Sequence, residues 1–218
     1  MSEGAGDPGR SDEDLWQATV SGNSAAFGAL FTRHAAAVHR YCYRRTGSAA
    51  LAEDLTSIVF LTAWRRRHEV TLDSVPVRAW LFGVATHVVG NSARAMRRHR
   101  DLLARIPPPP VAVDHADEVA ARVDTDRDSA RVRAAISRLR GPERDVLALA
   151  VLGELSYAEI AAALSLPVGT VRSRLSRART RLRADLDSTA SARSAPGPPS
   201  RRGSDQATVL PTTRGDLQ

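Results

Sequence analysis

The chain has 218 residues, room for one large or two small domains that could each bury a core. Its formal net charge is +7 and all 31 of its Lys+Arg residues are arginine, a balance that favours a polyanionic partner. The single cysteine, Cys42, excludes an internal disulfide framework, and no apolar run approaches membrane-spanning length, so a soluble, cytoplasmic protein is expected.

Residues 1–10, rich in Gly, Ser and Asp, read as a disordered N-terminus. From Asp12 a helical pattern begins. Leu15 and Trp16 open a short amphipathic segment, and Asp12, Glu13 and Asp14 suit the positive end of its dipole. Asn23 or Ser24 is placed to cap a second helix carrying Phe27, Leu30, Phe31, Val38 and Tyr41, which Gly47 breaks. A third helix, Ala49 to Arg67, gathers Leu51, Leu55, Val59 and Ala63 on one face and ends in three arginines. The stretch HEVTLDSVP, residues 68–76, reads as a loop. Val77 to Leu103 then reads as one helix whose first half is apolar and aromatic (Trp80, Leu81, Phe82, Val84, Val88) and whose second half is basic.

Pro107 to Pro110 and the acidic stretch after them mark a connector, residues 106–128. Helical pattern resumes near Ser129 with Val132, Ile136 and Leu139; Gly141-Pro142 makes a turn, and Glu143 to Leu152 forms another apolar helix. Residues 188–218 are mostly Ser, Thr, Pro, Gly and Arg and read as a disordered tail. The expected fold class is all-α: two small helical domains, an N-terminal bundle over residues 11–105 and a helix-turn-helix bundle over residues 129–187, joined by the flexible linker.

The most informative stretch is Ser156 to Arg183. Ser156 and Glu159 form the S-x-x-E capping box that opens a helix. That helix stops near Ser165 to Pro167, because proline cannot continue it but sits well in the first turn of the next. On the second helix Val168, Val171, Leu175, Ala178 and Leu182 share one face, leaving Arg172, Ser173, Ser176, Arg177 and Thr180 outward. Six arginines fall between Arg172 and Arg183 with no acid among them. Two short helices joined by a tight turn, aliphatic inward and Arg/Ser outward, are suited to placing a helix in a DNA major groove, where an arginine fork can grip guanine O6 and N7.

Three strings carry a family resemblance: AEDL followed by VFLTAW at Ala52 to Trp64, RAWLFGVAT at Arg78 to Thr86, and LSYAEIAAALSLPVGTVRSRLSRAR at Leu155 to Arg179. Over roughly Asp12 to Leu186 the chain resembles the extracytoplasmic-function (ECF) sigma factors of bacterial RNA polymerase, which would make the first domain region 2-like and the second region 4-like. The resemblance implies that Asp54, Ser57, Ile58, Phe60 and Trp64 dock on core polymerase. It implies that Asp73 and Ser74 of the loop, with Thr86, His87 and Asn91, open the minus-ten element and capture an unstacked base, while Arg94, Arg97 and Arg98 hold phosphates upstream. Thr170, Arg172, Ser173, Arg174, Ser176, Arg177 and Arg179 match the positions that read the minus-thirty-five element. Core RNA polymerase and promoter DNA are the implied partners, and an anti-sigma antagonist is common in the family. No cofactor, metal, membrane or small-molecule substrate is implied. Many members have Gln then Glu or Asp where this chain has Ser57 and Ile58, and Asn where it has His87.

By periodicity alone Trp64 and Trp80 are core residues, and His39 and Cys42, three apart on one helix, supply two ligands without a third. The sequence has no glycine-rich phosphate loop, HExxH or G-x-S-x-G motif, so an enzyme is not expected. The alternative function is a conventional helix-turn-helix regulator that binds duplex DNA without joining core polymerase.

Overall fold

The computed structural model describes residues 9–70, 72, 75–104 and 123–194; among these the chain is helical, without a strand. The elements are α1 (Asp12–Val20), α2 (Ser24–Thr46), α3 (Ala49–Arg65), α4 (Val77–Leu103), α5 (Val123–Arg138), α6 (Gly141–Val151), α7 (Tyr157–Ala163) and α8 (Val168–Ser194). The first three start at a polar side chain that takes up an otherwise unpaired N–H: Ser11 Oγ accepts from Asp14 N at 3.1 Å, Asn23 Oδ1 from Ala26 N at 3.0 Å and Ser48 Oγ from Leu51 N at 3.3 Å. α2 stops at Gly47, whose φ of +75° reverses the chain while its N–H still reaches the Tyr43 carbonyl at 2.8 Å. α3 ends at Arg65, two residues short of the expected Arg67, and the Arg67 guanidinium turns back to lie 4.0 Å from the Trp64 ring centroid.

Helices α1 to α4 enclose Trp16, Leu30, Val38, Tyr41, Val59 and Phe82, each at most 1% exposed. Two aromatic contacts knit the layers: Trp16 against Trp80 at 4.8 Å and Tyr41 edge-on to Phe82 at 5.3 Å. Asp12 clips α1 to α2 by accepting from Arg33 and meeting His34 Nε2 at 2.7 Å. Cys42 is fully buried here, and burial pushes its thiol up to about 11, only partly offset by Thr56 and Arg45. The folded protein at pH 8 is therefore expected to resist a thiol-reactive dye, with one equivalent labelling only after unfolding in urea; rapid labelling of the native chain would contradict this burial.

In the second half, Val146, Leu149, Val171 and Leu175 are fully buried between α6 and α8. Glu143, 4% exposed, is neutralised by Arg181 of α8. The capping box forms as expected: Ser156 N donates to Glu159 Oε2 at 2.7 Å and Glu159 N to Ser156 Oγ at 3.2 Å, a cap contributing about 1 kcal/mol. Ser165 adopts φ +53° between α7 and α8, and Leu166 N reaches back to the Ala161 carbonyl at 2.8 Å, the Schellman closure that sets the turn.

Two helices run further than expected. α5 starts at Val123, inside the stretch read as linker, and α8 continues to Ser194, inside the stretch read as tail. Neither extension contains a glycine or proline, and the first breaker after α8 is Pro196. The rest of the expected linker from residue 105 to 122, residues 1–8 and the expected tail from 195 lie outside the described residues. One further difference is larger: the two halves share one apolar core, because α7 lies directly against α4. The crossing is close enough that a methyl group added at Gly83 would come within 2.4 Å of the Ala163 carbonyl oxygen.

Candidate nucleic-acid interface

α8 separates two faces over its middle turns, but Val168, expected on the inward stripe, is 41% exposed at the first turn and Leu182 is half-buried, because the core beneath the helix spans only Val171 to Ala178. Val171, Leu175 and Ala178 are each 0% exposed, whereas Arg172, Ser173, Ser176, Arg177 and Arg179 are exposed, with Thr170 and Arg174 half-buried. The 3.6-residue period forces this split: a core on one side leaves the opposite side free for a groove. Arg177 is held along the helix by Ser173, its Nε donating to the Ser173 carbonyl at 3.2 Å and Nη2 to Ser173 Oγ at 3.3 Å, while Ser173 Oγ donates to the Thr170 carbonyl at 3.0 Å. Of the six arginines read as one basic run, Arg181 is drawn inward to Glu143. The remaining arginines leave this side of α8 strongly positive, the charge an anionic duplex would attract.

A second basic surface lies between α3 and α4. A groove of about 730 Å³ is lined by Asp54 and Ile58 from α3 and by His87, Asn91, Arg94 and Arg98 from α4. Asn91 Oδ1 accepts from Arg94 Nη2, so amide and guanidinium form one polar ledge over an apolar floor that includes Leu55 and Val84. Arg97 is exposed on the same helix end. The groove brings together residues that the sequence assigned to two separate tasks, Asp54 and Ile58 to polymerase, the others to DNA. Helix pairing across positions more than thirty apart is not encoded in any local pattern, so their proximity was not legible beforehand.

The remaining expected site residues are distributed as follows. Ser57 and Ile58 are exposed on α3, beside Leu61 at 52% exposure, and Trp64 is half-buried against Phe27 at 5.2 Å. Phe60 is only 4% exposed, packed edge-on against Phe31 at 4.8 Å and Phe27 at 6.2 Å, so it supports this surface from beneath and does not present a contact of its own. Thr86 is likewise 4% exposed. Its Oγ1 bonds Tyr41 Oη at 2.7 Å and the Phe82 carbonyl at 2.8 Å, because it falls one turn from Gly83 on the buried face of α4. His87 and Asn91, on the next faces round, are exposed. Asp73 and Ser74 lie outside the described residues. Among the described residues no group of three or more His, Cys, Asp or Glu side chains could hold a metal ion, and no helix is long and apolar enough to cross a membrane.

Comparison with known proteins matches both halves. Residues 30–100 fit the family model for sigma-70 region 2, and residues 129–182 that for sigma-70 region 4. The chain is 34% identical over 173 residues to the ECF RNA polymerase sigma factor SigL of Mycobacterium tuberculosis, covering 78% of this chain and 96% of that protein. It is 30% identical over 195 residues to the RNA polymerase sigma factor CnrH of Cupriavidus metallidurans, covering 83% and 96%. Among solved structures it is similar to CnrH in complex with the cytosolic domain of CnrY, with a TM-score of 0.58 and 28% identity over 82% of this chain and 99% of that one.

Proposed function

Because the chain belongs to the extracytoplasmic-function sigma factors of bacterial RNA polymerase, we propose that it joins core polymerase through α3 and reads two promoter elements through α4 and α8. The observation that carries this reading is the split of α8, where fully buried Val171, Leu175 and Ala178 fix Arg172, Ser173, Ser176 and Arg177 outward. The region 4-like unit, residues 129–187, sets that helix in the major groove of the minus-thirty-five element, with arginine forks on guanine edges and the other arginines on phosphate. The region 2-like unit, residues 11–105, holds the minus-ten element along the groove of His87, Asn91, Arg94 and Arg98, and Asp73 and Ser74 are assigned to the same element by the family resemblance alone. Asp54, Ser57, Ile58 and Trp64 form the polymerase-docking strip of α3, with Phe60 as its support.

The chemistry is binding and strand separation; the chain itself makes and breaks no covalent bond. The work is done in the cytoplasm, where polymerase and promoter are. Its solved relative is held by the cytosolic domain of CnrY, and this chain too accepts a protein antagonist of the anti-sigma kind. A conventional regulator would bind its duplex site unaided. Titrating labelled promoter duplex with the purified chain, alone and with core polymerase, separates the two: tight, sequence-dependent binding is expected only when polymerase is present, and tight binding by the chain alone, unaffected by polymerase, would refute the assignment.

A further inference from the structure

The Arg177 side chain runs back along α8 toward its N-terminus, the end of a recognition helix that meets base edges. Three hydrogen bonds fix it there. Nε donates to the Ser173 carbonyl at 3.2 Å and Nη2 to Ser173 Oγ at 3.3 Å, while Ser173 Oγ donates to the Thr170 carbonyl at 3.0 Å. Thr170 is itself tied to the turn, its N–H donating to the Pro167 carbonyl at 2.9 Å. One short chain of contacts thus joins the bend between α7 and α8 to the guanidinium.

The directions of these bonds follow from their chemistry. A carbonyl can only accept and a guanidinium can only donate, so the single hydroxyl proton of Ser173 goes to Thr170 and one of its lone pairs receives Arg177. Ser173 keeps one lone pair and no proton, so it cannot donate to guanine or thymine. For Arg177 the result is the converse. Nε and Nη2 share one edge of the planar group, and that edge is turned to Ser173. The end of the group, Nη1 with the second Nη2 hydrogen, stays open as a parallel two-donor fork on an exposed side chain. Guanine alone offers such a fork two neighbouring acceptors in the major groove, O6 and N7.

We propose that Ser173 is a positioning residue for promoter reading: by holding the Nε–Nη2 edge of Arg177 it leaves the end fork to the duplex, and so makes the upstream element require guanine where Arg177 meets it. This rests on the two-element reading above and narrows it, because Ser173 then acts through Arg177 and not on a base of its own. A guanidinium swinging aside to a phosphate would give up both bonds to Ser173, so the hold also favours base edge over backbone.

Run-off transcription by core polymerase with the full chain, over promoters carrying each base in turn at every upstream-element position, tests this. Arg177→Ala locates its position as the one where a guanine preference of about 5- to 160-fold disappears. Ser173→Ala should weaken that same preference roughly 2- to 12-fold, the contribution of one hydrogen bond, and leave the position located by Arg172→Ala unchanged. Ser173→Thr, whose hydroxyl can reach the same carbonyl, should restore it. Added to Arg177→Ala, Ser173→Ala should do nothing more. In the free chain Ser173→Ala should also speed solvent exchange of the Arg177 Nε–H proton, read by NMR at the resonance that Arg177→Ala removes. An unchanged preference in Ser173→Ala, an equal loss at every position, or a loss that adds to that of Arg177→Ala would each overturn the assignment. So would chain-dependent starts with no base preference that Arg177→Ala alters, an outcome that leaves the two-element reading in place. Absence of chain-dependent starts would instead refute that reading, and the exchange rate in the free chain would still decide whether Ser173 holds Arg177.

Discussion

Alanine at both Arg172 and Arg177 should lower transcription from a promoter bearing the chain's upstream element at least about 30-fold, and should change transcription little where that element is scrambled. The magnitude follows from about 1–3 kcal/mol of discrimination per arginine–guanine pair, with two such pairs lost. The selectivity follows from geometry. Both arginines stand on the exposed face of α8, and Arg177 is steadied by the Ser173 hydroxyl and carbonyl, so less side-chain freedom is lost when it meets a base edge. Arginines that met only phosphate would behave differently: their loss would weaken every promoter alike and flatten the salt dependence by about one unit per contact removed. In-vitro transcription over a matched promoter pair, at two salt concentrations, distinguishes the outcomes.

Leu175→Ala should destabilise the protein by about 2–5 kcal/mol, a large share of the roughly 5–15 kcal/mol that holds a typical domain. Leu175 is 0% exposed in the centre of the α8 stripe, between Val171 and Ala178, which are equally buried, so the cavity left behind has little room to collapse. The same stripe holds the arginines outward. Upstream-element recognition should therefore fail along with stability, at temperatures where the native helix-turn-helix still works. Leu175→Met, which nearly conserves volume, should cost under about 1.5 kcal/mol. Urea unfolding followed by circular dichroism measures both; equal stability of the alanine variant and the parent would mean that α8 does not rest on this core.

What the residues disclosed in advance was local. The capping box at Ser156 and Glu159, the turn before Pro167 and the inward run Val171–Leu175–Ala178 are short-range effects of hydrogen bonding, proline geometry and helical period, and each stands in the fold as read. Helix ends were less legible: nothing forbids helix over 123–128 or 188–194, and low apolar content was mistaken for its absence. A recognised string also does not tell exposed positions from buried ones. Phe60 and Thr86 lie in stretches that resemble functional segments, yet the same periodicity that exposes Ile58 and His87 turns these two inward. The pairing of Arg45 with Asp145, one hundred positions away, left no mark in the sequence, since a lone Arg and a lone Asp on separate helices look like ordinary solvated surface. Likewise Gly83 read as one small residue in an apolar string; only the crossing with Ala163 explains why it carries no side chain.

The most direct measurement is run-off transcription by purified core polymerase on a pool of randomised promoters, with and without this chain. The account predicts defined start sites that appear only when the chain is added, each preceded by two enriched elements spaced as the minus-ten and minus-thirty-five positions require. Start sites identical to those of core polymerase alone, with neither element enriched, would contradict it.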